Sequence, residues 1–482
     1  MTILQRSIDH FPDLLNLHRG NPGRYPFLLE SVSRDATASA AQNNKQSRWD
    51  ILFAFPGQHL ELNATGKLIG DAPITMSQNN DFLCQLDEWW QQEIIIDDGE
   101  TELPFQGGWF IYLGYELAGQ IEPVLHLPVI PSGQSQAMAV RCPAAILRDH
   151  EQQRTIIIAE SDHKDCFEKM STDMQQLIEH QKKHSANSND ISSISLNDFH
   201  EDNESTFLSA VARIKNYINE GDVFQVNLSR RWKGPLPDNT QAADIYQALR
   251  HHNPAPFAGL CVQPDWAIIS SSPERLVCVD AARQVETRPI AGTRPRHDNH
   301  ADDTLLSQEL LQHPKERAEH IMLIDMERND LGRVCQAGTI EVDELMVLES
   351  YSHVHHIVSN IRGRLRDEVT PGDVIRAVFP GGTITGCPKV RCMEIIAELE
   401  ADQRGPYTGS MGYLNRNGSM DLNILIRSLV QNKQGLSLRA GAGIVADSIP
   451  SQELSETRTK ARGLLLALGD IEAEAGQQDN TV

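Results

Sequence analysis

Long apolar runs are missing from this 482-residue sequence, in which no stretch approaches the ~20 consecutive apolar residues that a membrane-spanning helix needs. That absence predicts a soluble protein with no membrane partner. The start, Met1-Thr-Ile-Leu-Gln-Arg-Ser-Ile-Asp9, lacks the basic segment and continuous apolar stretch of a secretory signal, which predicts a cytoplasmic location. Positive charge is also short: 43 Lys and Arg against 66 Asp and Glu leave a net charge of −23. Such a balance argues against a nucleic-acid surface, but not against a small anionic substrate held by a few placed cations. Cysteine occurs eight times, at 84, 142, 166, 261, 278, 335, 387 and 392, and never as C-x-x-C. Apolar settings such as Leu276-Val-Cys-Val279 predict reduced, mostly buried thiols and no zinc site.

What is present is ordinary globular composition, 40% hydrophobic and 23% charged, on a chain long enough for two domains or one unusually large one. Residues 184–204 are rich in Ser, Asn and Asp and poor in aromatics, the composition of a linker that buries little surface. They divide an N-terminal α+β subdomain, 1–183, from a catalytic domain, 205–470, with a polar tail at 471–482. Upstream, Gln106–Tyr115 and Thr155–Ala159 read as strands. Downstream, Trp266–Ser270, Leu276–Val279 and Gln284–Ile290 follow one another without intervening helices. Gly409–Leu414, the turn Asn415-Arg-Asn-Gly418 and Asp421–Leu429 read as a hairpin, with Gly435–Arg439 as a further strand. These are antiparallel meanders. Helices are expected from about Pro388 to Glu400 and from Pro450 or Ser451 to Gly469.

Two Glu-x-x-Glu pairs stand out. A helix starting near Pro314 puts Glu316 and Glu319 on one face, and the spacing recurs at Glu453 and Glu456. In the second helix Leu454, Ala461, Leu464, Leu465 and Leu468 face the core, leaving Glu453, Glu456 and Lys460 at the edge of a cleft. Brought together, the pairs make an all-oxygen site suited to Mg²⁺; taken separately, each is a solvated helix face with ion pairs such as Glu456/Lys460. Gly381-Gly-Thr-Ile-Thr-Gly-Cys-Pro-Lys389 is a glycine-rich loop opening a helix, an anion cradle. It does not match the ATP-binding phosphate loop. Gly441-Ala-Gly-Ile-Val-Ala446 meets the loose dinucleotide pattern, but no helix opens within it and the neighbouring strands form meanders. Gly441, Ala442 and Gly443 therefore read as close backbone approach to a substrate. In Ser352-His-Val-His-His356, strand alternation puts His353 and His355 on one face and His356 on the other, which leaves one functional histidine. Arg427 and Lys460 are the cations placed to clamp a carboxylate.

Taken together, these strings resemble the chorismate-utilising family that includes anthranilate synthase component I, aminodeoxychorismate synthase component I and isochorismate synthase. The resemblance runs in order over 205–469: Gly221–Ser229, Ser272-Pro-Glu274, Pro289–Arg296, Lys315–Gly332, Ser352–Ser359, Pro380–Lys389, Gly441–Ser448 and Glu453–Lys460. It implies a large antiparallel β-sandwich wrapped by helices, and a Mg²⁺ ion bound by Glu319 and Glu456, its waters ordered by Glu316 and Glu453. It also implies that Glu274 protonates the departing C4 hydroxyl of chorismate, a role for a carboxyl still protonated near neutral pH. Tyr407, Arg427, Gly443 and Lys460 match contacts to the enolpyruvyl carboxylate, and His356 and Thr383 match positions beside the ring. The segment Leu28–Ser31, with Leu29, Glu30 and Ser31, is similar to one that lines a tryptophan pocket in some members.

Isochorismate synthases carry a lysine base where this chain has Gln225, which disfavours water addition. The loop PGGTITG is closer to the aminodeoxychorismate type (PGGSITG) than to the anthranilate type (PAGTLSG). The reaction so implied is chorismate plus ammonia to 4-amino-4-deoxychorismate. One position disagrees: the aminodeoxychorismate type often has a lysine nucleophile where Ala291 stands, as in anthranilate synthases. Either another group, such as Thr293 or a water, opens C2, or ammonia attacks C2 and the product is anthranilate. No amidotransferase region occurs in the chain, so a separate glutamine amidotransferase subunit is implied as the ammonia source.

Overall fold

The computed structural model of the chain describes residues 3–32, 48–73, 80–95, 102–183, 199–236, 240–297, 299–350 and 354–469. His353, most of the expected linker and the tail from 470 onward lie outside the described residues.

Strand Trp266–Ser272 explains the architecture in miniature. Ala267 and Ile269 pack to one side, Trp266 and Ile268 to the other, and both sides are buried. Gly108–Leu113 behaves the same way, with Trp109 and Ile111 on one side and Phe110 and Tyr112 on the other. Strands apolar on both faces need cover on both faces. The solution is a 12-stranded and an 11-stranded sheet, face to face and antiparallel at every named pairing. Phe27, Phe53 and Ile268 of the first meet Phe110, Tyr112 and Met138 of the second, and the Phe27 and Phe110 rings stack at 4.0 Å.

Helices cover the outer faces. Lys164–Lys183, Ala242–His252 and Pro450–Ala467 lie on the 12-stranded sheet, whereas Phe82–Glu93, Pro314–Gly332 and Pro371–Val378 lie on the other. Glu204–Glu220 and Lys389–Leu399 close over strands Gln225–Gly234 and Gly435–Ile444. The α+β sandwich wrapped by helices is as expected. No helix among the described residues is long and apolar enough to cross a membrane, and all eight cysteines are free thiols.

Three expectations are corrected. Residues 1–183 do not form a separate layer: Phe27–Glu30 pairs with Phe257–Val262, and Gly108–Leu113 pairs with Ser410–Asn415, so both sheets draw strands from either side of 184–204. The polar composition there marks a connection that buries little, but carries no information about which strands pair across it. Gln284–Ile290 is interrupted at Arg288-Pro289, where proline lacks the N–H a ladder needs; Gln284–Thr287 and Ile290–Pro295 then pair in succession with Val354–Arg364. The expected strand Asp421–Leu429 is likewise two strands in two different sheets, Met420–Asn423 and Ser428–Asn432.

Candidate active site

The break in that last strand builds the site. Between Asn423 and Ser428 the chain leaves one sheet for the other, and the path from Ser272 to Arg275 makes the opposite crossing beside it. The two crossings are hydrogen-bonded together: the Ile424 N–H donates to the Glu274 carbonyl at 3.0 Å, and the Ser271 N–H to the Arg427 carbonyl at 3.0 Å. Glu274 and Arg427 are thus fixed at one seam. Arg427 has φ +52°, a strained left-handed conformation for a residue with a side chain.

Glu274 is buried, and burial pushes its carboxyl up to about 8. The Thr383 hydroxyl opposes that rise, the charge of Glu327 adds to it, and the Ile290 N–H and Lys460 oppose it. Thr383 lies close without reaching good hydrogen-bond geometry, so Glu274 Oε1 and Thr383 Oγ1 are both buried without a hydrogen-bond partner. A neutral carboxyl with a free oxygen at pH 7 is equipped to donate a proton.

Helix Pro314–Gly332 is started by Pro314 and the His313 ring, which caps the Glu316 N–H. It presents Glu316 and Glu319 as expected. Glu319 accepts from Gln225 Nε2 at 2.6 Å, and Glu316 pairs with Arg294 at 3.3 Å. Helix Pro450–Ala467 presents a buried Glu453 and an exposed Glu456, the latter 2.7 Å from Lys460 Nζ. Lys460 also donates to the Gly441 carbonyl at 3.0 Å, and its own carbonyl accepts from Arg427.

Strand Gly435–Ile444 joins the two groups, and it runs further than expected, through the glycines. A Cβ added at Gly443 would stand 2.4 Å from Gln225 Nε2 and 3.6 Å from Glu319 Oε1; one at Gly441 would stand 2.9 Å from the Tyr407 hydroxyl. Helix Pro314–Gly332 therefore brings Glu319 to the glycine-lined face, and Lys460 of helix Pro450–Ala467, paired with Glu456, reaches the Gly441 carbonyl. Gly443→Ala is expected to push Gln225 off Glu319 and to lower kcat/KM for the substrate roughly 10–100-fold, a loss that steady-state kinetics alongside an unchanged Tm would register. The Ala442 side chain turns the other way, into the core with Val226, Leu228 and Ile444, so that its backbone alone is offered to the glycine-lined side.

The four glutamates do not collapse into a tight cluster. Among the described residues, the trio of potential ligand atoms within 4.8 Å of one another is Glu160, Asp162 and His163, where Glu160 is engaged by Arg141 and Arg416. Beside Glu319 the buried Gln225 Oε1 lacks a hydrogen-bond partner, so the donors at this helix face are oxygens, the kind a hard cation such as Mg²⁺ takes.

His356 is buried, opposite Thr293 in the strand pairing. Burial lowers its imidazole to about 4, the charge of Arg427 lowers it further, and hydrogen bonding to Gly292 opposes; the ring is neutral at pH 7. His355 is structural, held by Ser350 at 2.7 Å and Asp303 at 3.0 Å. Opposite His356 the strand bulges between Ala291 and Thr293. Gly292 there has φ +70°, and an added Cβ would lie 2.8 Å from Glu316 Oε2. Ala291 packs with Leu323, Met326 and Cys387, so the lysine position of the resembled family is an apolar wall here. The Thr293 side chain lies outside the described structure.

Leu29, Glu30 and Ser31 line a cavity of about 290 Å³ together with Trp49, Pro256 and Met411. The Glu30 carboxylate is engaged from behind by Tyr246 at 2.7 Å and Arg250 at 3.2 Å. Sequence reasoning passed over Glu327 and His320, both buried on helix Pro314–Gly332. The signal was available: 316, 319/320, 323 and 327 repeat on one helical face.

Residues 37–466 match the family described as chorismate binding enzyme. The chain belongs to this family. It is 44% identical over 374 residues to an anthranilate synthase component I-like protein of Synechocystis, covering 76% of this chain and 73% of the relative. It is 49% identical over 271 residues to aminodeoxychorismate synthase component 1 of Bacillus subtilis, covering 56% and 57%. Among solved structures it is similar to anthranilate synthase component I from Streptococcus pneumoniae, with a TM-score of 0.73 at 30% identity over 89% of this chain and 95% of that one. As a chorismate-binding enzyme, the chain has relatives on both the aminodeoxychorismate and the anthranilate branch.

Proposed function

We propose that this chorismate-binding enzyme converts chorismate and ammonia to 4-amino-4-deoxychorismate and water, with ammonia supplied by a separate glutamine amidotransferase subunit. The observation that carries the chemistry is the buried Glu274, whose carboxyl is pushed up to about 8 and whose Oε1 lies without a hydrogen-bond partner. Mg²⁺, held by Glu319 and Glu456 with Glu316 and Glu453 ordering its waters, would supply the positive charge that seats the ring carboxylate. Arg427, Tyr407 and Lys460, around the glycine strand, bind the enolpyruvyl carboxylate. Glu274 gives its proton to the C4 oxygen, which leaves as water, and the new C–N bond forms at C4. Gln225, neutral and hydrogen-bonded to Glu319, provides no base for water addition.

The choice of C4 is supported by the glycine loop. Its sequence PGGTITG is closer to the PGGSITG of that type than to PAGTLSG, with Gly381 where the anthranilate type carries alanine. Ala291, buried in an apolar cluster, favours a second reading in which ammonia attacks C2 and anthranilate, pyruvate and water result. Incubation with chorismate, Mg²⁺ and ammonium at mildly alkaline pH is expected to give a product that becomes p-aminobenzoate only on addition of a lyase. Anthranilate fluorescence with no lyase present would overturn the C4 assignment in favour of the second reading. Excess EDTA is expected to abolish turnover, and added Mg²⁺ to restore it; turnover unchanged by EDTA would remove the metal role.

A further inference from the structure

A second cavity, of about 330 Å³, opens along strands Gln225–Gly234 and Gly435–Ile444. Its charge is opposite to that of the protein. The chain carries a net charge of −23, yet none of the described residues lining this cavity is Asp or Glu, and Arg231, Lys233, Arg404, Arg439 and His200 all line it. The strand ladder explains the concentration. Arg231 stands directly opposite Arg439, and Lys233 follows two residues on, so the three side chains share one side of the sheet. His200 pairs with Lys233 from the neighbouring strand His200–Glu201. Like charges directly opposite one another cost stability, and two carboxylates offset part of that cost: Glu400 holds Arg404 and Arg439, and Asp402 accepts from Arg231 at 2.6 Å. The compensation is incomplete. Arg231 Nε is buried without a hydrogen-bond partner, and Lys233 is exposed at the rim.

We propose that this cavity is a binding site for a small oxyanion, a carboxylate or a phosphate, separate from the chorismate site. Its volume is that of a small-molecule pocket. Arg231 carries the recognition. Its Nη2 is bonded to Asp402, whereas its Nε is desolvated with no acceptor, and a buried donor left unpaired costs free energy that an oxygen of a bound anion recovers. Lys233 adds a second ammonium-to-oxygen contact at the rim. Arg404 and Arg439, fixed by Glu400, add positive potential without giving up their own bonds. Neither Arg427 nor Lys460, the cations of the chorismate clamp, lines this cavity. The two sites adjoin at Tyr407, which lines the cavity and whose hydroxyl a Cβ at Gly441 would approach at 2.9 Å.

The test is isothermal titration calorimetry of the full-length protein, without substrate or Mg²⁺, with inorganic phosphate and, separately, with succinate. Binding of at least one probe is expected, and the tighter of the two tells phosphate from carboxylate as the preferred class. Arg231→Gln and Lys233→Gln should each weaken that binding roughly tenfold, the worth of one charge-assisted contact. Lys460→Gln, which disturbs the chorismate clamp, should leave it unchanged. Because Lys233 is exposed, its variant is expected to keep the wild-type Tm. Should Arg231→Gln fail to fold, Lys233→Glu decides in its place, since a carboxylate at the rim should abolish binding. The inference is overturned if neither probe binds, or if binding persists undiminished in a folded variant at Arg231 or Lys233. Loss of binding in Lys460→Gln overturns it equally, because the anion would then occupy the chorismate site. Since the titration needs no turnover, failure of wild-type protein to consume chorismate would remove the proposed function and leave the oxyanion site to be decided.

Discussion

Glu274→Gln is expected to lower the turnover of chorismate by about 10²–10⁴-fold, the usual worth of a positioned general acid, with little change in KM or Tm. The amide keeps the size of the side chain and its fit at the seam between the two sheets, and removes only the transferable proton. The pH dependence has a definite sign. Activity needs the protonated carboxyl, so it is present below about 8 and lost as pH rises through that value. Stability follows the same group. The folded-state value is raised above the ordinary carboxyl value, so Glu274's contribution is fully present below the unfolded-state value and lost as pH rises toward 8. Glu274→Gln should therefore flatten Tm between about pH 4.5 and 8 relative to wild type. A variant with wild-type kcat, or a basic limb that does not move when the carboxyl is removed, would show that the proton comes from elsewhere.

The largest loss of stability is expected at Glu400. Its carboxylate, buried at the C-terminal end of helix Lys389–Leu399, accepts from Arg404 at 2.7 and 3.0 Å, from Arg439 at 2.8 Å, and from the Ser229 N–H and hydroxyl at 2.8 and 2.9 Å. Arg404 also reaches the carbonyls of Asn227 at 2.7 Å and Ile384 at 3.1 Å. One carboxylate thus ties the helix to strands Gln225–Gly234 and Gly435–Ile444 and to the glycine loop. Glu400→Ala strands two buried guanidinium groups and is expected to cost about 3–5 kcal/mol, measurable by denaturant unfolding. Burial raises the Glu400 carboxyl, but Arg404 and Arg439 outweigh it and hold the group below its ordinary value. Its contribution is thus present above the unfolded-state value and lost as pH falls through the folded one. The acid limb of wild-type stability should be shallower in the variant; an unfolding midpoint within about 0.5 kcal/mol of wild type would refute this account.

The residue identities of the site were open to reading because they obey local rules. Glu-x-x-Glu spacing is a helix-face property, proline before each pair marks a helix start, and glycines flag close approach. Which face the Ala442 side chain takes was not legible, because membership of a glycine run says nothing about the face of a strand. Glu327 was overlooked because a glutamate on an amphipathic helix reads as a solvated residue until the loop that buries it is known.

By itself, then, the sequence determined the family, the antiparallel α+β class, the paired glutamates and the candidate acid, since each depends on residue type and short-range spacing along one element. Only the tertiary structure decided that the chain on both sides of 184–204 is woven into the same two sheets, and that the apparent strand 421–429 breaks to carry Arg427 from one sheet to the other. It alone buried Glu274 at the crossing between the two sheets, where burial raises its carboxyl. Those facts depend on contacts between segments as far apart as Glu274 and Ile424 or Gln225 and Glu319. Burial, and with it the chemistry of a carboxyl, belongs to the assembled core and not to any single stretch of the chain.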